Sequence, residues 1–198
     1  MSRFLTRGVA AGIASLLAVS VAMSAVASDN KIALIPGGPH PYFAPWEQAA
    51  ADAKKDFGIA DVQYKVPAEW KLELQTELLN SLAAQGFNAF GYFPGDAVGV
   101  NSTIAELKAN NIPAVALGGC AQDPTDTVFC MATDVYASAY QGTKSLIAAM
   151  GGKGAIVHLA GLLVDPNTTL RVKAVETAVA EPHGPVPLLQ TGRRTRSQ

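Results

Sequence analysis

Residues 31–43 read KIALIPGGPHPYF, and this stretch decides the fold. Its opening residues, 31–35, form a short apolar run, which predicts a buried β-strand. The glycines and prolines that follow interrupt the pattern and predict a loop. A helix is then expected from Pro45, a residue suited to the first helical turn, and Gly58 is suited to end it. The stretch therefore opens a strand–loop–helix unit.

The same rhythm repeats along the chain. Further strands are predicted over 62–66, 89–93, 113–117 and 128–132, and further helices over 72–85 and 98–109. Strands that alternate with helices of this length predict an α/β fold, with a parallel sheet covered on both faces. Ligands of such folds bind beyond the carboxyl ends of the strands, near a switch in strand order. Candidate binding loops therefore lie at 37–43, 67–71, 94–97 and 118–120.

The pattern divides the chain into a first α/β lobe over 28–132 and the start of a second over 133–180. In the second, Asp134 is suited to cap a helix that runs to about Met150, a strand follows over 155–160, and a loop over 161–168 leads to a helix over 169–180. Residues 181–198 are proline-rich and then basic, which predicts an irregular tail with Leu188–Gln190 as its one strand candidate.

The amino terminus is typical of an export signal. Arg3 and Arg7 precede an apolar, alanine-rich stretch, and Ala25–Ala27 has the small-x-small pattern of a cleavage site. Cleavage after Ala27 would remove residues 1–27 and place the mature chain outside the cytoplasm. The alternative is an uncleaved membrane anchor, for which the apolar stretch is barely long enough.

Composition narrows the function classes. Charged residues make up 16% of the chain, apolar residues 49%, and the net charge is −1, which argues against a nucleic-acid partner. Cys120 and Cys130 are the two cysteines. In an exported protein such a pair predicts a disulfide, with a free buried pair as the alternative. A metal site is disfavoured because no further Cys or His lies at ligand spacing.

The motifs of common enzymes are missing from the sequence. Gly151–Gly154 lacks the spacing and the Ser/Thr of a P-loop, and no Gly-x-Ser-x-Gly elbow is present. We therefore expect neither a catalytic set nor a cofactor, and an α/β-fold enzyme is the less favoured alternative. The most informative loop carries His40, Tyr42 and Phe43. Aromatic rings beside a polar group suit a sugar, although one or both rings could instead pack into the core.

With these motifs the chain resembles the periplasmic sugar-binding proteins of ABC importers, of the type I ribose/galactose-binding class. The resemblance covers about residues 31–180. It rests on segments 39–43 and 94–98, on the crossing segment 132–134 with Gly142 in the next helix, and on 161–171. It implies a type I periplasmic binding protein-like fold, with a doubly wound parallel sheet in the first lobe and an incomplete second α/β lobe.

The resemblance also implies a ligand site. Tyr42 and Phe43 would hold the sugar ring beside His40, with Asp96 and Arg171 near the hydroxyls. Many members of the family carry an Asp-Arg pair after the fourth strand, where this chain has Gly118–Cys120. Gly119 and Trp70 complete the candidate set, and Trp70 could equally be a core residue.

The implied partners are a small sugar or polyol and the membrane permease of an ABC importer, with the chain acting as a periplasmic monomer. A sensory binding protein that presents its ligand to a receptor is the alternative. The second lobe of this family continues well beyond one strand–helix unit. We therefore expect a truncated fragment that binds sugar weakly or not at all.

Overall fold

The computed structural model describes residues 28–122, 125–182 and 188–193. The expected export signal over 1–27 lies outside the described residues. In chain order the elements are β1 (Ser28–Ile35), a 3₁₀ turn (Pro41–Phe43), α1 (Pro45–Phe57), β2 (Ile59–Tyr64), α2 (Leu72–Ala84), β3 (Ala89–Tyr92), α3 (Val100–Ala109), β4 (Ala114–Leu117), β5 (Cys130–Met131), α4 (Val135–Ala149), β6 (Ile156–Ala160), α5 (Pro166–Ala180) and β7 (Leu188–Arg193).

The first five strands form one parallel sheet in the order β2-β1-β3-β4-β5. Strand β1 lies between β2 and β3, so that Ile32 is opposite both Val62 and Ala89. The chain moves from β1 to one side and then crosses back to β3 on the other. Because such crossovers are right-handed, α1 covers one face of the sheet, and α2 and α3 cover the other. This is the doubly wound α/β arrangement predicted from the sequence, with its switch point between β1 and β3.

We call the five-stranded sheet and its helices the first lobe. The core of the first lobe lies between the sheet and helices α2 and α3. Its most deeply buried side chains include Ile35, Leu79, Phe90 and Ile104, each at most 1% exposed. Burying a side chain of this size stabilises the fold by roughly 1.5–3 kcal/mol. The packed core therefore fixes the sheet whose carboxyl edge carries the loops after β1 and β3.

The second lobe comprises α4, β6, α5 and β7. Asp134 caps α4 as predicted, because its carboxylate accepts a hydrogen bond from the Ala137 N–H at 2.8 Å. Helix α5 begins at Pro166 rather than at residue 169. Asp165 precedes it and accepts from the Asn167 N–H at 2.8 Å, and Pro166 is suited to the first helical position. The loop expected over 161–168 is therefore shorter than predicted.

Strand β7 corrects the prediction of an irregular tail over 181–198. It pairs in parallel with β6, from Leu188 opposite Ile156 to Arg193 opposite Ala160. The backbone groups of β6 need hydrogen-bond partners, and a strand of almost any sequence can supply them. Residues 183–187 and 194–198 lie outside the described residues. Across the part of the chain that the structure describes, none of the helices has the length and apolar character required to span a membrane.

The predicted disulfide is confirmed. Cys120, just after β4, is bonded to Cys130 at the start of β5, with 5.6 Å between their Cα atoms. Strand β5 is shorter than the predicted 128–132, although the Val128 N–H still donates to the Ala114 carbonyl at 2.9 Å. The bond fastens the end of the sheet next to the segment that crosses into the second lobe.

Candidate functional site

A cleft of about 720 Å³ lies between the two lobes, at the carboxyl edge of the first sheet. Two hydrogen bonds join the lobes beside it. The Ala97 N–H donates to the Val164 carbonyl at 3.0 Å, and the Asn167 side-chain amide donates to the Gly118 carbonyl at 2.8 Å. The cleft therefore has walls from both lobes and lies where the strand order of a doubly wound sheet places a ligand.

Four aromatic side chains form the first-lobe wall, which we call the aromatic wall: Tyr42, Phe43, Trp70 and Phe93. Phe43 is central, with ring centroids 5.1 Å from both Tyr42 and Phe93 in edge-to-face contact. Phe43 is only 2% exposed, whereas Tyr42 is 60% exposed. The pair that the sequence singled out is thus divided: Phe43 lines the cleft as part of a packed cluster, and Tyr42 presents its ring openly.

His40 lies beside this wall and caps the 3₁₀ turn. Its Nδ1 accepts a hydrogen bond from the Tyr42 N–H at 3.1 Å. A neutral imidazole carries one proton, so this bond assigns that proton to Nε2. His40 lines the cleft next to the exposed Tyr42 ring, and its Nε2–H is available to serve as a hydrogen-bond donor there.

Trp70 is held firmly against the loop after β1. Its indole N–H donates to the Gly95 carbonyl at 2.7 Å, and its ring centroid lies 5.7 Å from that of Phe93. The backbone of Gly38 approaches so closely that a Cβ there would be 2.7 Å from the Trp70 Cα. Only glycine permits this approach. Trp70 is therefore a packed residue and also lines the cleft, so it combines the two alternatives that the sequence left open.

Gln75 positions the wall from behind, and sequence reasoning missed it. Its side chain is fully buried in helix α2. Its amide nitrogen donates to the carbonyls of Pro36 at 3.0 Å and Phe93 at 2.7 Å, and its oxygen accepts from the Gly95 N–H at 2.9 Å. One side chain thus ties the loops after β1 and β3 together at the switch point. The only sequence signal is a glutamine within a leucine-rich helix.

The structure does not bring Asp96 or Gly119 into the cleft. One Asp96 carboxylate oxygen accepts from the N–H groups of Val98 at 3.0 Å and Gly99 at 2.7 Å, and so it organises the entry to α3. A Cβ on Gly119 would lie 2.8 Å from the Phe93 ring, so this glycine leaves room for the aromatic wall. Asp96 therefore orders the backbone next to the cleft, and Gly119 provides space for the Phe93 ring.

The second-lobe wall is polar. Arg171 of α5 lines the cleft, is exposed, and among the described residues takes part in no ion pair. Asp165 and Asn167, at the start of α5, lie beside it. His158 of β6 also faces the cleft, and its Nδ1 is buried without a hydrogen-bond partner in the described part of the chain. Sequence reasoning missed these last three residues.

Across the described residues, no group of three or more His, Cys, Asp or Glu side chains is placed to hold an ion. What the cleft offers instead is apolar ring surface on one side, and on the other a guanidinium, an amide, a carboxylate and an imidazole. These groups can bind a small polar molecule with apolar faces through hydrogen bonds.

Comparison with known proteins agrees with this geometry. A family model described as a periplasmic binding protein domain matches residues 32–191. A search of curated proteins by sequence returned no match. Among solved structures, an ABC transporter solute-binding protein from Burkholderia graminis in complex with D-arabinose aligns with a TM-score of 0.77 at 17% identity, over 84% of this chain and 57% of that one.

Two further structures give the same result. A glucose-galactose binding protein from Geobacillus stearothermophilus aligns with a TM-score of 0.73 at 21% identity, over 84% of this chain and 58% of its own. The binding protein of an arabinose ABC transporter from a Shewanella species aligns at 0.72 with 18% identity, over 83% and 54%. The chain thus spans little more than half the length of these proteins, and at such identities the likeness shows a shared fold.

Proposed function

The chain belongs to the periplasmic binding protein domain family, and on that basis we propose that it captures a sugar or a related polyol in the cleft between its lobes. The observation that carries the proposal is the pairing of an aromatic wall with a polar wall across one cleft. The structurally similar proteins support it, since arabinose, glucose and galactose are the sugars that they bind or that their transporters carry.

The two walls would recognise different parts of a sugar. The open ring of Tyr42, backed by Phe43 and Trp70, suits the apolar C–H face of a pyranose or furanose. Hydroxyl groups would receive hydrogen bonds from the His40 Nε2–H and from Arg171, whose planar fork of donors suits paired acceptors. Asp165 can accept from a hydroxyl. Binding of this kind is reversible and includes no covalent step.

Closure of the lobes would complete the site. The segment 132–134 crosses from the first lobe to the second directly after β5, which the Cys120–Cys130 bond fastens to the end of β4. Rotation about a short crossing segment is a common way for two lobes to close around a ligand. The Asn167–Gly118 hydrogen bond, which joins the lobes beside the cleft, would then be a contact of the closed form.

In the cell, the proposed setting is the periplasm, reached by cleavage of the export signal after Ala27. The protein would act there as a monomer and deliver its sugar to the membrane permease of an ABC importer. Both the permease and the monomeric state are proposals drawn from family membership.

The test is a titration of the purified chain with pentoses, hexoses and inositols, followed by ligand-detected NMR so that weak binding is visible. One sugar should bind saturably, and Tyr42→Ala should weaken its binding. Phe57→Ala is the matched control, because Phe57 is 77% exposed at the end of α1 and does not line the cleft. Equal binding by both variants would remove Tyr42 from the site, and no binding by any sugar would contradict the proposal.

A further inference from the structure

Arg171 brings a positive charge to the cleft that the described part of the chain does not balance. It lies in the second turn of α5, lines the cleft and is exposed. Among the described residues, no carboxylate forms an ion pair with its guanidinium, and no hydrogen bond holds it in place. Because an arginine side chain stays protonated in proteins, this charge is permanent.

The acidic groups around the cleft are engaged elsewhere. Asp165 supplies the one carboxylate among the described lining residues. One of its oxygens accepts from the Asn167 N–H at 2.8 Å and the other from the Thr168 hydroxyl at 3.3 Å, so it caps α5 beside the positive end of the helix dipole. Asp134, between two lining residues in the chain, caps α4 by accepting from the Ala137 N–H. Both carboxylates therefore serve the helices that they cap.

The position of Arg171 on α5 places it within reach of a ligand that contacts the aromatic wall. Asn167 lies four residues earlier, so the two side chains share a helix face, with about 5–6 Å between their Cβ atoms. The Asn167 amide donates to the Gly118 carbonyl at 2.8 Å, and a Cβ on Gly118 would be 3.4 Å from the Tyr42 hydroxyl. A small molecule whose ring lies on Tyr42 can therefore present a substituent to Arg171.

The chemistry of a guanidinium in such a place favours an acidic ligand. Closure of the lobes would remove water from Arg171, and burying a charge without an opposite charge is costly. Sugar hydroxyls can accept its hydrogen bonds but leave its charge unbalanced. A carboxylate accepts two parallel hydrogen bonds from the fork of donors and balances the charge as well.

We propose that the ligand of the cleft is a sugar acid, a uronate whose carboxylate pairs with Arg171 while its ring lies against the aromatic wall. The inference rests on the proposed function and names the substrate class within it. The aromatic wall would bind the C–H face of neutral and acidic sugars alike, so Arg171 decides between them. A neutral sugar should therefore bind more weakly than the uronate with the same arrangement of hydroxyls.

The experiment titrates the full chain with pairs of sugars that differ only at C6: galactose and galacturonate, glucose and glucuronate, mannose and mannuronate. Ligand-detected NMR at neutral pH and low ionic strength gives the affinity of each. In the pair that binds best, the uronate should bind about tenfold more tightly than the neutral sugar, because its contact with Arg171 is charge-assisted. The methyl ester of that uronate, which lacks the charge, should lose the advantage, and high salt should reduce it.

Variants at one position test whether Arg171 is the source of the preference. Arg171→Gln should bring the uronate to the affinity of the neutral sugar, whereas Arg171→Lys, which retains the charge without the fork, should keep part of the preference. Lys173→Gln is the matched control, because Lys173 is an exposed cation of the same helix that does not line the cleft. Residues two apart do not share a helix face, so this variant should bind both sugars as the parent does.

The outcomes separate the inference from the proposed function. If the parent binds a neutral sugar at least as tightly as every uronate, the inference is overturned and the proposed function stands. A uronate preference that survives in Arg171→Gln, with the circular dichroism of the folded parent, overturns the inference equally. If no member of any pair binds the parent, the proposed function fails and the inference falls with it.

Discussion

Replacing Gln75 by leucine should be one of the most damaging single changes near the cleft. The substitution nearly preserves volume and suits a helix, so packing and helix propensity change little. It removes three hydrogen bonds, however, and leaves the carbonyls of Pro36 and Phe93 and the N–H of Gly95 without their partner. Each such loss from a buried site costs about 1–2 kcal/mol, so the free energy of unfolding should fall by roughly 3–6 kcal/mol.

The assay is urea unfolding followed by tryptophan fluorescence, since Trp70 lies against the loop that Gln75 supports. Gln48→Leu is the matched control. Gln48 is exposed on α1 and, among the described residues, its side chain bonds Asp52 of its own helix, so its replacement should change the unfolding free energy by at most about 0.5 kcal/mol. If Gln75→Leu unfolds within about 1 kcal/mol of the parent at an unchanged slope, the argument that Gln75 holds the switch-point loops is refuted.

Three further changes test other parts of the account. Phe43→Ala should lower the unfolding free energy by about 3–5 kcal/mol, because the ring is buried in the aromatic cluster. Tyr42→Ala, at an exposed ring, should alter the unfolding free energy by no more than about 0.5 kcal/mol while weakening sugar binding. Equal losses of stability in urea unfolding would contradict the distinction between a packed Phe43 and an exposed Tyr42. Reduction of the Cys120–Cys130 bond should cost about 2–3 kcal/mol, measured by unfolding with and without reductant, and two free thiols in unreduced periplasmic material would contradict the bond. Burial raises the pKa of the Tyr92 phenol, so the folded state holds this proton more tightly than the unfolded state does. The free energy of unfolding should therefore fall as pH rises above about 10. A spectrophotometric titration in which all tyrosines of the folded chain ionise together at the ordinary pKa would show this reasoning to be wrong.

The fold was largely readable from the sequence because its signals are local. Apolar runs such as 31–35, the glycines and prolines between them, and helical spacing in α1 depend only on neighbouring residues. The predictions were wrong where the structure of a segment depends on the residues that it pairs with. Leu188–Arg193 has a weak strand pattern of its own, and it forms β7 because β6 supplies a hydrogen-bonding edge. Helix α5 begins earlier than predicted because Asp165 caps its first turn. The last residues of the loop predicted over 161–168 therefore belong to the helix.

The site was readable only in part. Five of the predicted residues line the cleft: His40, Tyr42, Phe43, Trp70 and Arg171. The first four lie in loops after strand ends and Arg171 lies in the second turn of α5, where position along the chain predicts position in space. Asp96 also follows a strand, but nearby backbone N–H groups engage its carboxylate. Gln75 acts on a residue 39 positions away, and no local pattern records a contact of that range.

The most direct test of the central claim is a map of the sugar on the protein. Backbone and side-chain NMR signals are recorded with and without the sugar that binds best in the titration. If the cleft between the lobes is the binding site, signals of both walls should shift together, those of His40 and Tyr42 in the first lobe and those of Asn167 and Arg171 in the second. Shifts confined to one lobe, or found away from the cleft, would contradict the account.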